Sequence, residues 1–237
     1  MAIHAAFPPP PDSLARIAKS ADGDILASKM VSPNRNRGRG AQSNLSGRFE
    51  VFQNESFDDG WQSLETLADF KTNVREERAK SIITKNESPD LNFDRSINPY
   101  RGCEHGCSYC FARQTHAYLG HSAGIDFERE LYAKTNAAER LREELSRKKY
   151  TPKPIAIGTN TDPYQPIENT HGIMRECLEV LSAFNHPVAI VTKGSLIERD
   201  IDILGDMARR GLVRVGVSVT TLDAKLSRLM EPRAPAP

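Results

Sequence analysis

Three absences narrow what this sequence of 237 residues can do. It has no run of 18 apolar residues, so it offers no segment that could cross a membrane as a helix. A proline run, PPPP, interrupts the N-terminal segment where a secretory signal would need an apolar core, so we expect a cytoplasmic protein with no membrane partner. Neither sign of charge is in excess, because 32 basic residues stand against 31 acidic ones. A nucleic-acid partner would therefore need a local patch.

Cysteine is scarce as well, yet three of the four cysteines are crowded together. Cys103, Cys107 and Cys110 lie in the stretch RGCEHGCSYCFAR with C-x3-C-x2-C spacing. Gly102 and Gly106 give this loop the flexibility to bring the three thiols to one metal centre. So few cysteines at so close a spacing indicate metal ligation in a reducing compartment rather than a disulfide framework.

The spacing alone leaves two kinds of metal centre open. Zinc would need a fourth protein ligand, which His105 or His116 could supply in a Cys3His structural site. A [4Fe–4S] cluster has four irons, so three cysteines would leave one iron open to another molecule. The paired C-x2-C motifs of most zinc modules are absent. The cysteines also follow a predicted strand end, RSINPY, at the head of a βα series, where α/β folds place their chemistry.

From about residue 95, short apolar runs alternate with amphipathic segments, a pattern typical of repeated βα units. The predicted strands are PIAIGT (154–159), PVAIVT (187–192) and LVRVGVSVTT (212–221). Asn136 is predicted to cap the first of the helices, with Glu139 three residues on. Cys177 is predicted to be a small buried hydrophobe on the next helix, and Gly211 is predicted to end the third.

The first part of the chain has a different composition. Residues 1 to 80 have little hydrophobic periodicity and are rich in Pro, Asn, Gly and Ser. We therefore predict an irregular, partly disordered N-terminal extension and a core at residues 81 to 237. In the extension, VSPNRNRGRGAQSNLSGR carries Arg35, Arg37, Arg39 and Arg48 without an acidic residue. Both a solvated linker and a contact to phosphates would have this composition.

The cysteine spacing, with Tyr109 just before the last cysteine, resembles the motif of the radical S-adenosylmethionine superfamily. Other stretches resemble its spore photoproduct lyase or DNA-repair-photolyase-like branch: RSINPYRGCEHGCSYCFAR, IGTNTDPYQPIE, VTKG, VSVTTLD and MEPRAP. The resemblance covers residues 80 to 237 and implies an α/β fold, a partial TIM-type (β/α) barrel of the radical SAM kind. From Cys103 to residue 237 there is room for about four βα units. We therefore expect a truncated barrel, incomplete at its C-terminal end.

The resemblance also implies an iron–sulfur enzyme. Cys103, Cys107 and Cys110 would ligate a [4Fe–4S] cluster, and S-adenosyl-L-methionine would chelate the fourth iron. An electron from a reductant such as flavodoxin or ferredoxin would then cleave S-adenosylmethionine to methionine and a 5′-deoxyadenosyl radical, which abstracts hydrogen from a substrate. The difficult chemistry would belong to the cofactor, and the barrel would position and shield it.

The substrate is not predicted, and damaged DNA is one candidate. Spore photoproduct lyases carry a cysteine that returns a hydrogen atom to the product, and Thr159 stands at that position here, so their reaction is not carried over. No catalytic residue is assigned. Two alternatives stay open: a zinc-stabilised nucleic-acid-binding module, and a catalytically inactive fragment of a radical SAM protein.

Five residues are predicted, from the resemblance, to contact S-adenosylmethionine. Tyr109 would lie against the adenine, and Asp162, together with Thr161, would receive the methionyl ammonium group. Lys193 would meet the methionyl carboxylate at the end of the third strand. Ser218 would hydrogen-bond the ribose or the methionyl group. Glu231, in MEPRAP, is a further candidate outside these five.

Overall fold

The computed structural model describes residues 39–41 and 71–237 of the chain. The strands in these residues are β1 (Asn73–Glu77), β2 (Thr84–Lys85), β3 (Arg95–Ile97), β4 (Tyr100–Arg101), β5 (Glu130–Lys134), β6 (Ile155–Ile157), β7 (Val188–Thr192) and β8 (Val213–Val217). The α-helices are α1 (Asp126–Arg129), α2 (Ala137–Leu145), α3 (Glu168–His171), α4 (Ile173–Ala183), α5 (Ile201–Arg209) and α6 (Ala224–Met230). Two 3-10 helices span Phe111–Leu119 and Ser195–Asp200. None of the helices in these residues has the length and hydropathy needed to span a membrane.

The larger sheet contains the predicted βα series. Its strand order is β2-β3-β6-β7-β8, with β3, β6, β7 and β8 parallel and β2 antiparallel to β3. All three residues of β6 are buried, as expected for a central parallel strand covered on both faces. The predicted α/β fold with a partial barrel is confirmed, because four parallel strands form a sheet that does not close within the described residues. Their carboxyl ends lie along one edge.

The smaller sheet has the order β1-β5-β4, with β1 parallel and β4 antiparallel to β5. β1 lies inside the segment predicted to be irregular. Its sequence, NVREE, has a single apolar residue, so hydrophobic periodicity could not indicate a strand. Backbone pairing with β5 and an ion pair from Glu77 to Arg101 hold it in place. Of the predicted extension, the structure describes residues 39–41 and 71–80, and the rest, including Arg35, Arg37 and Arg48, lies outside the described residues.

The hydrophobic core joins the larger sheet to the helices that cover it. Cys177 is fully buried on α4, beside the buried side chains of Met174, Leu178 and Leu181. The prediction that Cys177 belongs to the core is confirmed. Gly211 follows α5 with a left-handed φ of 70°, which agrees with its predicted place at the helix end.

One predicted cap is wrong. Asn136 does precede α2, but its side chain makes no hydrogen bond to the first turn of the helix. It instead accepts a hydrogen bond from the backbone N–H of Ala79 (2.8 Å) and donates one to the Ala79 carbonyl (2.9 Å). This pairing ties α2 to the segment between β1 and β2, a long-range contact that local spacing could not indicate.

Candidate functional site

One cavity of about 250 Å³ lies at the carboxyl edge of the parallel strands. It is lined by all eight residues that the sequence assigned to the site: Cys103, Cys107, Tyr109, Cys110, Thr161, Asp162, Lys193 and Ser218. These residues come from four separate parts of the chain and meet because parallel strands end on the same side of a sheet. The structure therefore brings the predicted residues together, and their individual roles stay predictions.

The three thiols lie on the loop between β4 and the 3-10 helix Phe111–Leu119. Cys103 is buried, whereas Cys107 and Cys110 are partly exposed, and the Cys110 N–H donates to the Cys107 carbonyl (3.2 Å). Burial raises the pKa of Cys103, and burial together with the nearby Glu231 carboxylate raises the pKa of Cys107 to about 12. Without a cation the thiols of Cys103 and Cys107 stay protonated. A bound metal would offset the free-energy cost of burying their thiolate forms.

The glycines of the cysteine loop allow close packing. Gly102 and Gly106 have left-handed φ values of 74° and 68°. A Cβ on Gly102 would lie 2.5 Å from the Leu131 side chain, and one on Gly106 would lie 2.8 Å from Glu128 Oε2. The buried Gln165 side chain accepts from the Glu104 N–H (2.9 Å) and donates to the Gly102 carbonyl (3.1 Å). The cysteine loop is thus held by close packing and by the hydrogen bonds of Gln165. The main contribution of its two glycines is to permit this close packing rather than to make the loop flexible.

A buried carboxylate, Glu128, supports the same loop. It accepts hydrogen bonds from Arg113 (2.6 Å) and from the backbone N–H groups of Gly40 (3.0 Å) and Ala41 (2.7 Å). Arg113 in turn donates two hydrogen bonds to the Cys107 carbonyl, at 2.9 and 3.2 Å. Glu128 therefore connects residues 39–41, from the distant N-terminal part of the chain, to the backbone of the cysteine loop.

Replacing Glu128 by glutamine should destabilise the fold by about 3 kcal/mol, because an amide cannot accept from the same donors with both of its terminal atoms. The measurement is urea-induced unfolding followed by circular dichroism. Glu139→Gln is the matched control, since Glu139 is exposed and its ion pairs with Arg78 and Arg140 lie at the surface. The control substitution should change the free energy of unfolding by less than about 0.5 kcal/mol. Equal effects in the two variants would contradict the buried network.

Asp162 accepts hydrogen bonds from several groups in the loops after β6 and β7. Its carboxylate accepts from the Thr192 hydroxyl (2.6 Å), the Lys193 N–H (2.7 Å) and the Tyr164 N–H (2.9 Å). His105 Nδ1 lies 3.4 Å away, an ion-pair distance without hydrogen-bond geometry. Burial alone would raise the pKa of Asp162, but His105 and these donors hold it below its ordinary value. Asp162 is therefore kept ionised at the cavity wall, where a cation could pair with it.

Lys193 lies at the centre of a second cluster of polar side chains. Its Nζ donates to the hydroxyls of Ser218 (2.9 Å) and Thr220 (2.9 Å) and forms an ion pair with Glu231 (2.8 Å). The Tyr109 hydroxyl donates to the same Glu231 carboxylate, and Lys193 Nζ lies 5.9 Å from the Tyr109 ring centre. Tyr109 and Lys193 are thus joined through Glu231, and Ser218 is joined to them through Lys193.

Gln165 and Glu128 are supporting residues that no pattern in the sequence assigned to the site. Glu231 lies in the MEPRAP stretch of the family resemblance, which had made it a candidate beside the five predicted contact residues. Thr161 is buried, and its hydroxyl donates to the Tyr100 carbonyl (3.0 Å). Thr161 therefore joins the site to β4 in addition to lining the cavity.

The histidines considered for zinc do not join the thiols. His105 faces Asp162, and His116 Nε2 lies 2.8 Å from the Glu130 carbonyl. Within the described ranges, no three His, Cys, Asp or Glu side chains are close enough to hold one metal ion. The geometry therefore does not support a Cys3His zinc site. Cluster ligands bind different irons, so they do not need to converge on one ion.

Comparison with known proteins gives related chains in several organisms. An uncharacterized protein of Mycobacterium tuberculosis is 42% identical over 147 residues, which cover 62% of this chain and 43% of that protein. An uncharacterized protein of Methanocaldococcus jannaschii is 24% identical over 159 residues, 67% of this chain and 56% of that protein. The chain thus spans about half the length of the curated relatives it matches.

Solved structures of spore photoproduct lyase share a lower sequence identity with this chain. The structure complexed with dinucleoside spore photoproduct is 14% identical and covers 71% of this chain and 45% of that one, with a TM-score of 0.48. A structure with bound AdoMet and dinucleoside spore photoproduct has a TM-score of 0.42 and 17% identity, over 62% of this chain and 39% of that one. Similarity of this size does not identify a substrate. The Radical SAM superfamily model, by contrast, matches residues 97–236, more than half of the chain, so the chain belongs to that superfamily.

Proposed function

We propose that this protein binds a [4Fe–4S] cluster through Cys103, Cys107 and Cys110 and cleaves S-adenosylmethionine reductively. The observation that carries the proposal is a cavity at the carboxyl edge of the sheet that all eight predicted residues line. Membership of the radical SAM superfamily agrees with it. When bound, the cluster and S-adenosylmethionine would supply a 5′-deoxyadenosyl radical that abstracts hydrogen from a substrate.

The donor set fits the cluster. Three thiols face one cavity, and the fourth cysteine of the chain, Cys177, is buried in the core on α4. Burial raises the pKa of Cys103 and of Cys107, so their ligation to a metal must release protons, as it does at other thiolate sites. The exposed side chains of Phe111 and Val191 also line the cavity and would offer apolar surface to the bound molecules.

The polar residues of the cavity divide by charge. Asp162, ionised and held by backbone and side-chain donors, would pair with the methionyl ammonium group. Lys193 would meet the methionyl carboxylate, either joining or displacing its present partner Glu231. Ser218 would hydrogen-bond the ribose or methionyl group, and Tyr109 would lie against the adenine. Thr161 would support Asp162 through its bond to β4.

The remaining assignments concern partners. All four cysteines are free thiols, which agrees with a cytoplasmic location and with reduction by a flavodoxin or ferredoxin. Damaged DNA is retained as a candidate substrate on the motif resemblance to the DNA-repair-photolyase-like branch. Because Thr159 replaces the hydrogen-returning cysteine expected from that resemblance, the product would not form by the same last step.

Anaerobic reconstitution should give about four irons and four sulfides per chain. Under a reductant such as dithionite, the loaded protein should form 5′-deoxyadenosine and methionine from S-adenosylmethionine, detected by liquid chromatography. One tightly bound zinc and no cleavage would contradict the proposal and favour a zinc-stabilised nucleic-acid-binding module. A full cluster without cleavage would identify a catalytically inactive fragment.

A further inference from the structure

A second cavity, of about 800 Å³, opens between the two sheets beside the site described above. The segment between β1 and β2, the ends of β3 and β5, and the residues after β6 form its walls. Asn160 lines both cavities. The Asn160 N–H donates to Asn98 Oδ1 (3.2 Å), and the Asn98 carbonyl accepts from Lys134 Nζ (2.8 Å). A short chain of hydrogen bonds thus links the wall of the second cavity to the first.

Most of the charged side chains that line this cavity are basic. Its basic side chains are Arg78, Lys80, Lys85, Arg101 and Lys134, and its one carboxylate is Glu77. Glu77 accepts two hydrogen bonds from Arg101, at 2.7 and 2.9 Å, so these two charges cancel. The whole chain has a net charge of only +1, so the accumulation of cations is local.

Most of these cations have no carboxylate partner. In the part of the chain that the structure describes, Arg78 forms an ion pair with the exposed Glu139, whereas Lys80, Lys85 and Lys134 form none. Lys134 is the most enclosed of the three lysines. Burial, followed by the charge of Arg101, lowers the pKa of Lys134, so an anion placed beside its ammonium group would relieve an unfavourable charge.

We propose that this second cavity binds a phosphate group of the substrate. Several lysines around an open space attract a multiply charged anion more strongly than a single carboxylate. Leu91 and Phe93 also line the cavity and offer apolar surface to the organic part of the same molecule. A molecule anchored at Lys134 would extend past Asn160 toward the cavity of the cysteines. The identification of this ligand as the substrate rests on the proposed function; the binding itself does not.

The phosphate could belong to a small metabolite or to a nucleic acid, and two probes separate these sources. The first is inorganic pyrophosphate, titrated by calorimetry into the anaerobically reconstituted full chain. The second is a fluorescein-labelled single-stranded DNA of about 12 nucleotides, followed by fluorescence anisotropy. We expect at least one probe to bind at low salt and to weaken as salt is added. Preference for the first would indicate a small phosphate ester, and preference for the second would indicate a nucleic acid.

The variants remove charge from the cavity. The triple variant Lys80→Ala, Lys85→Ala and Lys134→Met should lower the affinity for the probe by about tenfold or more. For DNA, the slope of log affinity against log salt concentration should fall by roughly one per lost phosphate contact. The double variant at Lys80 and Lys85 changes only exposed side chains, so it tests the same charges if the triple variant folds poorly. Lys148→Ala, which removes one exposed charge elsewhere, should change affinity less than about twofold.

Two results would overturn this inference: neither probe binds at about 20 mM salt, or the lysine variants bind as tightly as the unmodified protein. S-adenosylmethionine cleavage is measured on the same samples. Cleavage without any phosphate binding would refute the second cavity as a phosphate site and leave the proposed function in place. Lysine-dependent binding without cleavage would refute the proposed function and leave the phosphate site in place.

Discussion

Replacing Cys107 by alanine should abolish cluster loading, so that iron falls from about four to below one atom per chain after anaerobic reconstitution. In the proposed cluster each of the three cysteines would supply one iron with its protein ligand, and the described residues place no fourth cysteine at the cavity to substitute for a lost one. The measurements are iron and sulfide analysis together with the visible absorbance of the cluster. Cleavage of S-adenosylmethionine should be lost with the cluster.

Cys177→Ala is the matched control for this change. Cys177 is also a buried thiol, but it lies on α4 in the hydrophobic core and does not line the cavity. The control should therefore keep its full iron content and lose about 1 kcal/mol of stability through the small space left in the core. If both variants lost iron equally, the division of the cysteines into three ligands and one core residue would be wrong.

Gly158→Ala should destabilise the protein by more than about 4 kcal/mol or prevent folding. Gly158 follows β6 with a left-handed φ of 88°, and a Cβ there would lie 1.9 Å from the Val191 carbonyl oxygen. That oxygen belongs to the neighbouring strand β7, so relief would require the two strands to move apart. Gly158 also lines the cavity of the three cysteines, and the same shift would displace the residues around it. Urea-induced unfolding would measure the loss.

Gly211→Ala separates the steric contribution from the cost of the backbone conformation. Gly211 also has a left-handed φ, 70°, but no atom lies within 4 Å of a Cβ built there. Its replacement should therefore cost only the conformational term, about 1 kcal/mol. Similar losses in the two variants would show that the contact between Gly158 and Val191 is not what makes a glycine necessary there.

The parts of the site that could be predicted are those with a local pattern. The C-x3-C-x2-C spacing is contained in eight residues, and the family resemblance pointed to Asp162, Lys193 and Ser218, which follow apolar strands. Because parallel strands end on one side of a sheet, these residues, far apart in the sequence, were expected at one edge. The core position of Cys177 likewise followed from a local pattern, the helical spacing of the apolar residues around it.

The supporting contacts could not be predicted in this way. Asn136 has the local pattern of a helix cap, yet its side chain bonds to Ala79 because β1 brings that backbone within reach. Glu128 is an ordinary acidic residue in the sequence, and it becomes a buried acceptor only when residues 39–41 pack against the cysteine loop. Such pairings join positions dozens of residues apart, and no spacing rule connects them.

The sequence by itself thus determined the three-cysteine motif, the predicted parallel strands and the edge at which their ends meet, because each depends on patterns within a few turns of chain. Only the tertiary structure decided how the cysteine loop is held, which partner Lys193 has, and where lysines without an ion pair in the described residues lie together. Those features depend on hydrogen bonds and charges between segments that become neighbours only after the two sheets have formed. A cavity between sheets could not be predicted from local patterns, since its walls run from Glu77 to Asn160 and meet only when the two sheets have formed.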